Sequence, residues 1–260
     1  MVPAAVVDVT AAAQMFTYQA RPDLLQDRTI LVTGAGSGLG RAAALAYASH
    51  GATLILLGRN EAKLNSVYDE IESSGGRQPA VMVLDLLKAN DNDYREVAET
   101  VATEFGRLDG LLHSAGVTSP TLPLEHTTLE SWDQLLRVNL TAPFALTRHC
   151  LPLLRLAPHA SVIFTSSTAG RELRAFWGPY AISKHGVENL MQLFVDETRN
   201  TSKIRFNTLD PGPCATALRR VIFPSEDPAL RRKPAELMAP YLYLMGDDSI
   251  SENGKQFSAQ

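Results

Sequence analysis

The stretch TGAGSGLGRAAALAYASHG, Thr33–Gly51, is the strongest indication of the fold, because it places a glycine-rich turn between an apolar strand and a helix. The strand is the run TILVT at 29–33, and the alanine-rich segment after the glycines has helical spacing and ends at Gly51. Backbone N–H groups of such a turn can hold a phosphate at the helix N-terminus, where the helix dipole favours anions. A turn that only packs helix against strand is the alternative, but its place near the chain start favours nucleotide binding.

Five more short apolar runs follow, separated by longer segments with helical spacing. They are TLILLG (53–58), AVMVL (80–84), LDGLLH (108–113), SVIFTS (161–166) and IRFNTL (204–209). Alternation of nearly continuous apolar strands with helices predicts an α/β fold, in which helices cover both faces of a parallel sheet. Ligands of such sheets bind beyond the carboxyl ends of the strands, so we expect the functional residues just after each run.

Composition predicts a single domain and gives no indication of a nucleic-acid partner, a disulfide framework or a metal site. The chain has 260 residues, 45% of them hydrophobic, and no Pro/Gly/Ser-rich linker divides it. A net charge of -4 gives no reason to expect nucleic acid as a partner. The two cysteines, Cys150 and Cys214, lie far apart in sequence, so we expect neither a disulfide framework nor a metal site. A reducing, cytoplasmic location fits this cysteine usage.

We expect residues 1–20 to form an N-terminal arm that is mobile or loosely docked, and residues 21–260 to form a single domain. The arm is rich in Ala and Val, but the first Lys or Arg of the chain is Arg21, so the basic region of a signal peptide is missing. A wrongly assigned start site is the alternative explanation. No run is long enough to span a bilayer, which argues against a membrane partner.

The end of the second apolar run indicates which dinucleotide binds. Cofactors without a 2′-phosphate are usually held by an acidic residue about 20 residues after the glycines, but Gly58, Arg59 and Asn60 stand there instead. Arg59 can pair with a 2′-phosphate through charge-assisted hydrogen bonds. We therefore favour NADP(H), with NAD(H) still possible; the alternative is a surface arginine at the start of a helix.

A tyrosine and a lysine four residues apart stand in the segment GPYAISKHG, at 178–186. Helical periodicity from there onward places Tyr180 and Lys184 on one face of a helix. A nearby cation favours the ionised phenol, so Lys184 is expected to lower the pKa of Tyr180 and suit it to proton transfer with a carbonyl or alcohol. An amphipathic pair with a packed ring and a solvated lysine is the alternative.

Three motifs in this order, TGAGSGLG, FTSSTAG and YAISK, resemble the short-chain dehydrogenase/reductase family over roughly residues 28–258. The glycine spacing resembles the ordinary single-domain branch, since the extended branch would have a glycine at Ser37. Segments such as LLGRNEAKL are similar to a bacterial oxidoreductase subgroup of undefined substrate. The resemblance implies a doubly wound Rossmann fold with a mainly parallel seven-stranded sheet.

The resemblance also implies four catalytic residues, Asn139, Ser167, Tyr180 and Lys184. Ser167 resembles the serine that hydrogen-bonds the substrate oxygen, with Ser166 as the alternative. Asn139 resembles the asparagine whose backbone anchors a water that reaches Lys184, and Lys184 would also hold the nicotinamide ribose. Tyr180 would act as the general acid in reduction.

Cofactor contacts implied by the resemblance extend along most of the chain. They are Gly34, Gly36, Ser37, Gly38, Leu39, Gly40, Arg59, Asn60, Asp85, Leu86, Ser114, Ala115, Gly116, Tyr180, Lys184, Pro211, Gly212 and Thr216. One departure stands at 113–116, where HSAG replaces the asparagine-containing motif of the family. His113 and Ser114 remove amides that tie neighbouring strands, so stability or cofactor affinity is expected to suffer. His113 is interpreted as a packed strand-end residue and not as a base.

A substrate lid is expected around 216–234, together with the segment GRELRAFWG that leads into Tyr180. Five cations in the lid raise the hypothesis of an anionic substrate, although such clusters are usually just solvated. They are Arg219, Arg220, Arg231, Arg232 and Lys233. Four apolar residues would line a wall of the site or simply close the lid onto the core, namely Phe176, Trp177, Ile222 and Phe223.

Together these features predict an NADP(H)-dependent oxidoreductase that interconverts a carbonyl and a secondary alcohol in a small-molecule substrate. A non-catalytic NAD(P)-sensing or regulatory Rossmann protein is the alternative, since fold does not imply function; a scaffold with a vestigial pocket is a third. The family resemblance implies a homodimer or homotetramer built through the helices around 130–157 and 179–200. The segment LMQLFV (190–195) fits either that contact or the core.

Overall fold

Seven parallel strands form the central sheet of the computed structural model, which describes residues 15–260. In chain order they are β1 (Thr29–Thr33), β2 (Thr53–Gly58), β3 (Ala80–Val83), β4 (Gly110–His113), β5 (Ser161–Thr165), β6 (Arg205–Asp210) and β7 (Gln256–Ser258). Their order across the sheet is β3-β2-β1-β4-β5-β6-β7. The predicted fold is confirmed, and β1 to β6 fall on the six apolar runs. The short strand β7 has two exposed residues, so it lacks an apolar run from which it could be predicted.

Eight α-helices accompany the sheet in residues 15–260. They are α1 (Gly38–Ser49), α2 (Glu61–Ser73), α3 (Asp91–Phe105), α4 (Leu129–Leu136), α5 (Ala142–Arg155), α6 (Gly178–Thr198), α7 (Ala217–Ile222) and α8 (Met238–Met245). Buried side chains of α1, α2 and α8 pack on one face of the sheet, and those of α3, α5 and α6 pack on the other. Adjacent strand residues alternate between the two faces, as Ile30 and Leu31 do, which explains why the strands are apolar throughout.

The helix expected around 130–157 is interrupted. A π-helical turn, Arg137–Thr141, joins α4 to α5 and includes Asn139. Such turns insert an extra residue into a helix and are frequent at functional sites. Neither Gly nor Pro occurs in RVNLT, so periodicity alone could not have revealed this turn.

The end of the N-terminal arm lies against the last strand and α8. The Phe16 ring centroid is 5.4 Å from that of Tyr243 and 6.3 Å from that of Phe257, and the Phe16 N–H donates to the Ala259 carbonyl at 3.2 Å. The Tyr18 hydroxyl donates to the Asp248 carboxylate at 2.6 Å. Residues 1–14 lie outside the described residues, so the arm as a whole stays a prediction. No helix within 15–260 has the length and apolar character needed to cross a membrane.

Candidate active site

A cleft of about 780 Å³ lies at the carboxyl ends of β1 to β6. It is where the loops that follow these strands meet, since parallel strands all present their carboxyl ends at one edge. All of the expected cofactor residues except Gly40 line it, and so do Ser167, Tyr180 and Lys184. The cleft thus brings together motifs that lie as much as 180 residues apart in sequence, from Gly34 to Thr216.

The glycine turn serves both packing and the cleft. A Cβ on Gly40 would lie 2.4 Å from the Gly34 carbonyl oxygen, so Gly40 packs inside the turn and not against the cleft. Gly38 has φ +56 and faces the cleft, with no atom nearer to an added Cβ than Thr216 Cγ2 at 3.6 Å. Ser37 makes no side-chain cap to α1, and α1 has no acid in its first turn. The first N–H groups of α1 therefore fit an anion such as a cofactor diphosphate.

Arg59 marks one end of the cleft. It follows β2, its side chain is exposed, and it forms no ion pair with another residue of the described chain. Its neighbour Asn60 caps α2, with the Asn60 carboxamide oxygen accepting the Lys63 N–H at 2.9 Å. The guanidinium is thus available beside the glycine turn, as a 2′-phosphate would require.

Tyr180 and Ser167 lie together at the other end. Helix α6 begins at Gly178 with Pro179 in its first turn, so Tyr180 faces the cleft from the start of the helix. Burial raises the pKa of Tyr180 to about 12, while the nearby Ser167 hydroxyl lowers it and the nearby Asp210 carboxylate raises it. The expected lowering by Lys184 is not found, because desolvation dominates.

Lys184 is buried, with 5% of its surface exposed, one helical turn after Tyr180. Its ammonium donates to the Thr165 carbonyl at 2.7 Å and lies 5.9 Å from the Tyr180 ring centroid. Burial lowers the pKa of Lys184 to about 8, although the carboxylates of Asp210 and Glu188 raise it. The side chain is still mainly protonated at pH 7, so it brings a positive charge to the site.

Asn139 lies behind the cleft wall. Its carboxamide accepts the Val117 N–H and donates to the Val117 carbonyl, both at 2.9 Å, and also donates to the Ser183 hydroxyl at 3.0 Å. The side chain therefore ties the loop after β4 to α6, beside Tyr180 and Lys184. Its backbone belongs to the π-helical turn, where normal i to i−4 hydrogen bonding is interrupted.

Ser166 and His113 both have partners inside the protein. The Ser166 hydroxyl donates to the buried Glu188 carboxylate at 2.5 Å, which leaves Ser167 as the serine beside Tyr180. His113 is stacked on Phe164, with 4.9 Å between ring centroids, and its Nε2 is 2.8 Å from the Thr147 hydroxyl. Burial lowers the pKa of His113 to about 3, so the ring is neutral at pH 7. It is a packing residue of the core, as the sequence indicated.

The lid consists of α7 and the loop that follows it. Glu226 accepts a hydrogen bond from Arg219 at 2.8 Å and one from Arg231 at 2.7 Å, and these two arginines hold its pKa down at about 2. Arg219 also lies over the Phe223 ring, 4.5 Å from its centroid. Arg219 is the only one of the five lid cations that lines the cleft in the described residues. Because it is paired, the lid offers little free positive charge to a substrate.

Apolar side chains separate the lid from the tyrosine. The Trp177 ring centroid lies 6.0 Å from that of Tyr180 and 6.1 Å from that of Phe223. Trp177, Ile222 and Phe223 line the cleft as expected, whereas Phe176 faces a separate pocket of about 100 Å³. The wall nearest Tyr180 is thus aromatic and aliphatic.

Asp210 is a cleft residue that the sequence interpretation missed. It ends β6, directly before the Pro-Gly turn, and it is 7% exposed. Its position at the carboxyl end of an apolar run was the signal that could have identified it.

Comparison with known proteins gives consistent matches. The family model for short chain dehydrogenases matches residues 28–227. The uncharacterized oxidoreductase YciK of Escherichia coli K12 is 46% identical over 243 residues, which cover 94% of this chain and 96% of that protein.

Solved structures agree with these sequence matches. A candidate short chain dehydrogenase from Pseudomonas syringae has a TM-score of 0.93 and 48% identity, covering 95% of this chain and all of its own. One from Escherichia coli CFT073, complexed with NADPH, has a TM-score of 0.90 and 46% identity, covering 93% of this chain and all of its own.

Proposed function

The chain belongs to the short-chain dehydrogenase family, and on that premise we propose that it is an NADP(H)-dependent oxidoreductase that interconverts a carbonyl and a secondary alcohol. The observation that carries the proposal is the cleft itself. Its catalytic end holds Ser167, Tyr180 and Lys184, and its other end holds the glycine turn and Arg59. A dinucleotide laid between these ends would place its reactive ring beside Tyr180 and its 2′-phosphate beside Arg59.

The residues of the catalytic end have the protonation states that carbonyl reduction needs. Tyr180, with a pKa of about 12, keeps its proton at pH 7 and can donate it to a substrate oxygen. Ser167, which lines the cleft beside the phenol, can hydrogen-bond the same oxygen. Lys184 stays mainly protonated and stabilises negative charge that develops there. When bound, NADP(H) supplies or accepts the hydride.

The aromatic wall narrows the substrate class. Trp177 and Phe223 stand on the substrate side of Tyr180, and the lid arginine nearest the cleft is paired with Glu226. We therefore favour a ketone with an apolar substituent over an anionic substrate.

The first experiment is a titration of the protein with NADPH and with NADH, followed by cofactor fluorescence and by thermal shift. We expect tighter binding of NADPH, and we expect Arg59→Ala to weaken NADPH binding by about tenfold or more while NADH binding changes little. Arg95→Ala, on α3 and outside the cleft, is the matched control and should leave both affinities unchanged.

The outcomes separate the candidate functions. Binding of NADPH, followed by its oxidation with members of a panel of apolar ketones, supports the proposal. Binding without turnover of any carbonyl favours a cofactor-sensing protein. If neither cofactor binds, the cleft is not a dinucleotide site and the proposal fails.

We also propose a homodimer or homotetramer that is formed through α5 and α6. Both helices carry exposed apolar side chains, namely Phe144, Ile182 and Leu193. Of the segment 190–195, Met191, Phe194 and Val195 belong to the core, so only part of it is free for contact. Light scattering after size-exclusion chromatography measures the mass directly, and a monomer at micromolar concentration would contradict this proposal.

A further inference from the structure

The carboxylate of Asp210 lies at the catalytic end of the cleft, and the proton chemistry above does not use it. The Ser166 N–H donates to the Leu209 carbonyl at 2.8 Å, which places Asp210 beside the turn that carries Ser167. The Thr168 hydroxyl donates to Asp210 Oδ2 at 2.7 Å. Asp210 therefore belongs to the same corner of the cleft as Ser167 and Tyr180.

This carboxylate is buried without an ion pair. Its partners are the Thr168 hydroxyl and the Gly212 N–H, which donates to Oδ1 at 2.8 Å. Within residues 15–260, no lysine, arginine or histidine nitrogen lies within 4.0 Å of it. By contrast, Glu188, the other buried acid of this region, is paired with Arg171 at 2.9 Å. An unpaired buried carboxylate strongly favours any positive charge that enters its surroundings.

Lys184 supplies only part of that charge. Its ammonium donates to the Thr165 carbonyl and not to Asp210, so the two groups interact only through space. The proposed reaction supplies a second cation at this place. A nicotinamide ring is neutral when reduced and carries a positive charge when oxidised. It must reach the same substrate carbon whose oxygen Tyr180 protonates, so it binds at the end that Asp210 lines.

Resting on the proposed function, we propose that the carboxylate of Asp210 stabilises the positive charge that the nicotinamide ring acquires on oxidation. In carbonyl reduction, a hydride passes from the ring to the carbonyl carbon and a proton passes from Tyr180 to the oxygen. NADPH becomes NADP⁺, and the substrate becomes the alcohol. Asp210 offsets the charge left on the ring, so it makes the bound cofactor a stronger hydride donor. It also makes the protein bind NADP⁺ more tightly relative to NADPH.

A purely structural role is the competing explanation, because Asp210 also caps the Pro-Gly turn through Gly212. The two roles differ in one equilibrium quantity, the ratio of the dissociation constants for NADP⁺ and NADPH. A cap affects both cofactors alike, whereas a charge beside the ring affects only the oxidised form.

The test is calorimetric titration of the wild type and of Asp210→Asn with NADP⁺ and with NADPH. Asparagine keeps the side-chain volume, and its oxygen can still accept the Gly212 N–H. Titration at pH 6 keeps Lys184 and Tyr180 protonated, since their pKa values are about 8 and about 12. We expect the ratio of Kd for NADP⁺ to Kd for NADPH to rise about tenfold in Asp210→Asn. Asp69→Asn, the same change at an exposed acid of α2 outside the cleft, should leave this ratio unchanged.

The possible results of the titration either support or overturn the inference about Asp210. Equal weakening of both cofactors, or no change, in Asp210→Asn overturns the inference but leaves the proposed function intact. If the wild type binds neither cofactor, the proposed function and the inference both fail. If circular dichroism shows that Asp210→Asn is unfolded, Asp210→Ser replaces it, because its hydroxyl can also accept the Gly212 N–H; the same rise in the ratio is expected.

Discussion

Tyr180 keeps its proton at neutral pH because burial raises the pKa of its phenol. A lysine one helical turn away would lower the pKa of an exposed tyrosine, but Lys184 donates to the Thr165 carbonyl and is itself desolvated. In the proposed reaction, the pair would combine a phenol that holds a proton with a cation that stabilises charge on the substrate oxygen.

Removing the phenol oxygen tests this role. We expect Tyr180→Phe to lower turnover by about 10²-fold or more, since it removes the proton donor. Because the ring remains and packs on Trp177, the Kd for NADPH should change by less than about twofold. Stopped-flow NADPH oxidation and fluorescence titration measure the two quantities. Tyr18→Phe, far from the cleft, is the control, and wild-type turnover in Tyr180→Phe would exclude the mechanism.

His113 makes stability depend on pH. Its pKa is about 3 in the folded protein against 6.5 ordinarily, so the unfolded state takes up a proton that the native state excludes. Its contribution is therefore fully present above pH 6.5 and is lost as the pH falls toward 3. The resulting loss of unfolding free energy at pH 5, relative to pH 7.5, is about 2 kcal/mol.

Urea unfolding at pH 7.5 and pH 5 measures this contribution. We expect His113→Asn to lose less stability than the wild type between these two pH values, by about the same 2 kcal/mol. His126→Asn changes an exposed histidine and should keep the wild-type difference. An identical pH dependence in all three proteins would mean that His113 is protonated in the folded state.

Among the structural elements, the predicted lid is cross-linked internally by a carboxylate between two arginines. Glu226 joins Arg219 of α7 to Arg231 beyond it, and Arg219 in turn covers Phe223. The sequence showed five cations and suggested a free positive surface. The structure assigns two of them to Glu226, because the chain folds back after Phe223 and brings residues 219 and 231 to the same acid.

Neutralising this acid is expected to loosen the lid. Glu226→Gln should be cleaved by trypsin in the lid about two- to fivefold faster than the wild type, because the charge-assisted bonds to both arginines weaken. Glu236→Gln is the matched control, since Glu236 only approaches Arg232 at 4.0 Å. Equal cleavage rates in the two variants would show that the aromatic contacts, and not Glu226, close the lid.

Across the whole molecule, a mostly buried ion pair connects α6 to the last strand. Glu188 of α6 accepts from Arg171 at 2.9 Å and from the Thr208 hydroxyl of β6 at 2.6 Å. Arg171 also donates to the Phe257 carbonyl of β7 at 2.9 Å. The pair thus joins α6, β6 and β7 behind Ser167.

Breaking this pair should destabilise the whole fold. We expect Glu188→Gln to lower the free energy of unfolding by about 3 kcal/mol, because it leaves the Arg171 charge uncompensated in a mostly buried place. The double variant Arg171→Met/Glu188→Gln should recover part of that loss. Glu172→Gln, in an exposed pair with Arg174, should cost less than about 1 kcal/mol. Urea denaturation of these proteins and of the single variant Arg171→Met completes a double-mutant cycle, and additive losses in the double variant would exclude the coupling.

The amino-acid sequence predicted the parallel sheet, its first six strands, the glycine turn and many of the residues that line the cleft. These depend on local periodicity and on residue types at strand ends, which an amino-acid sequence states directly. It did not reveal the short strand β7 or the π-helical turn at Asn139, where no local pattern distinguishes the backbone.

The charge and protonation states of the site residues could not be predicted without the tertiary structure. The protonated state of Tyr180, the paired state of Arg219 and the unpaired carboxylate of Asp210 each depend on burial and on partners distant in sequence. Asp210 is the clearest case, since no sequence motif singled it out. The fold buries it beside the turn that carries Ser167, with no arginine or histidine paired to it, and burial strengthens the effect of its negative charge on neighbouring groups.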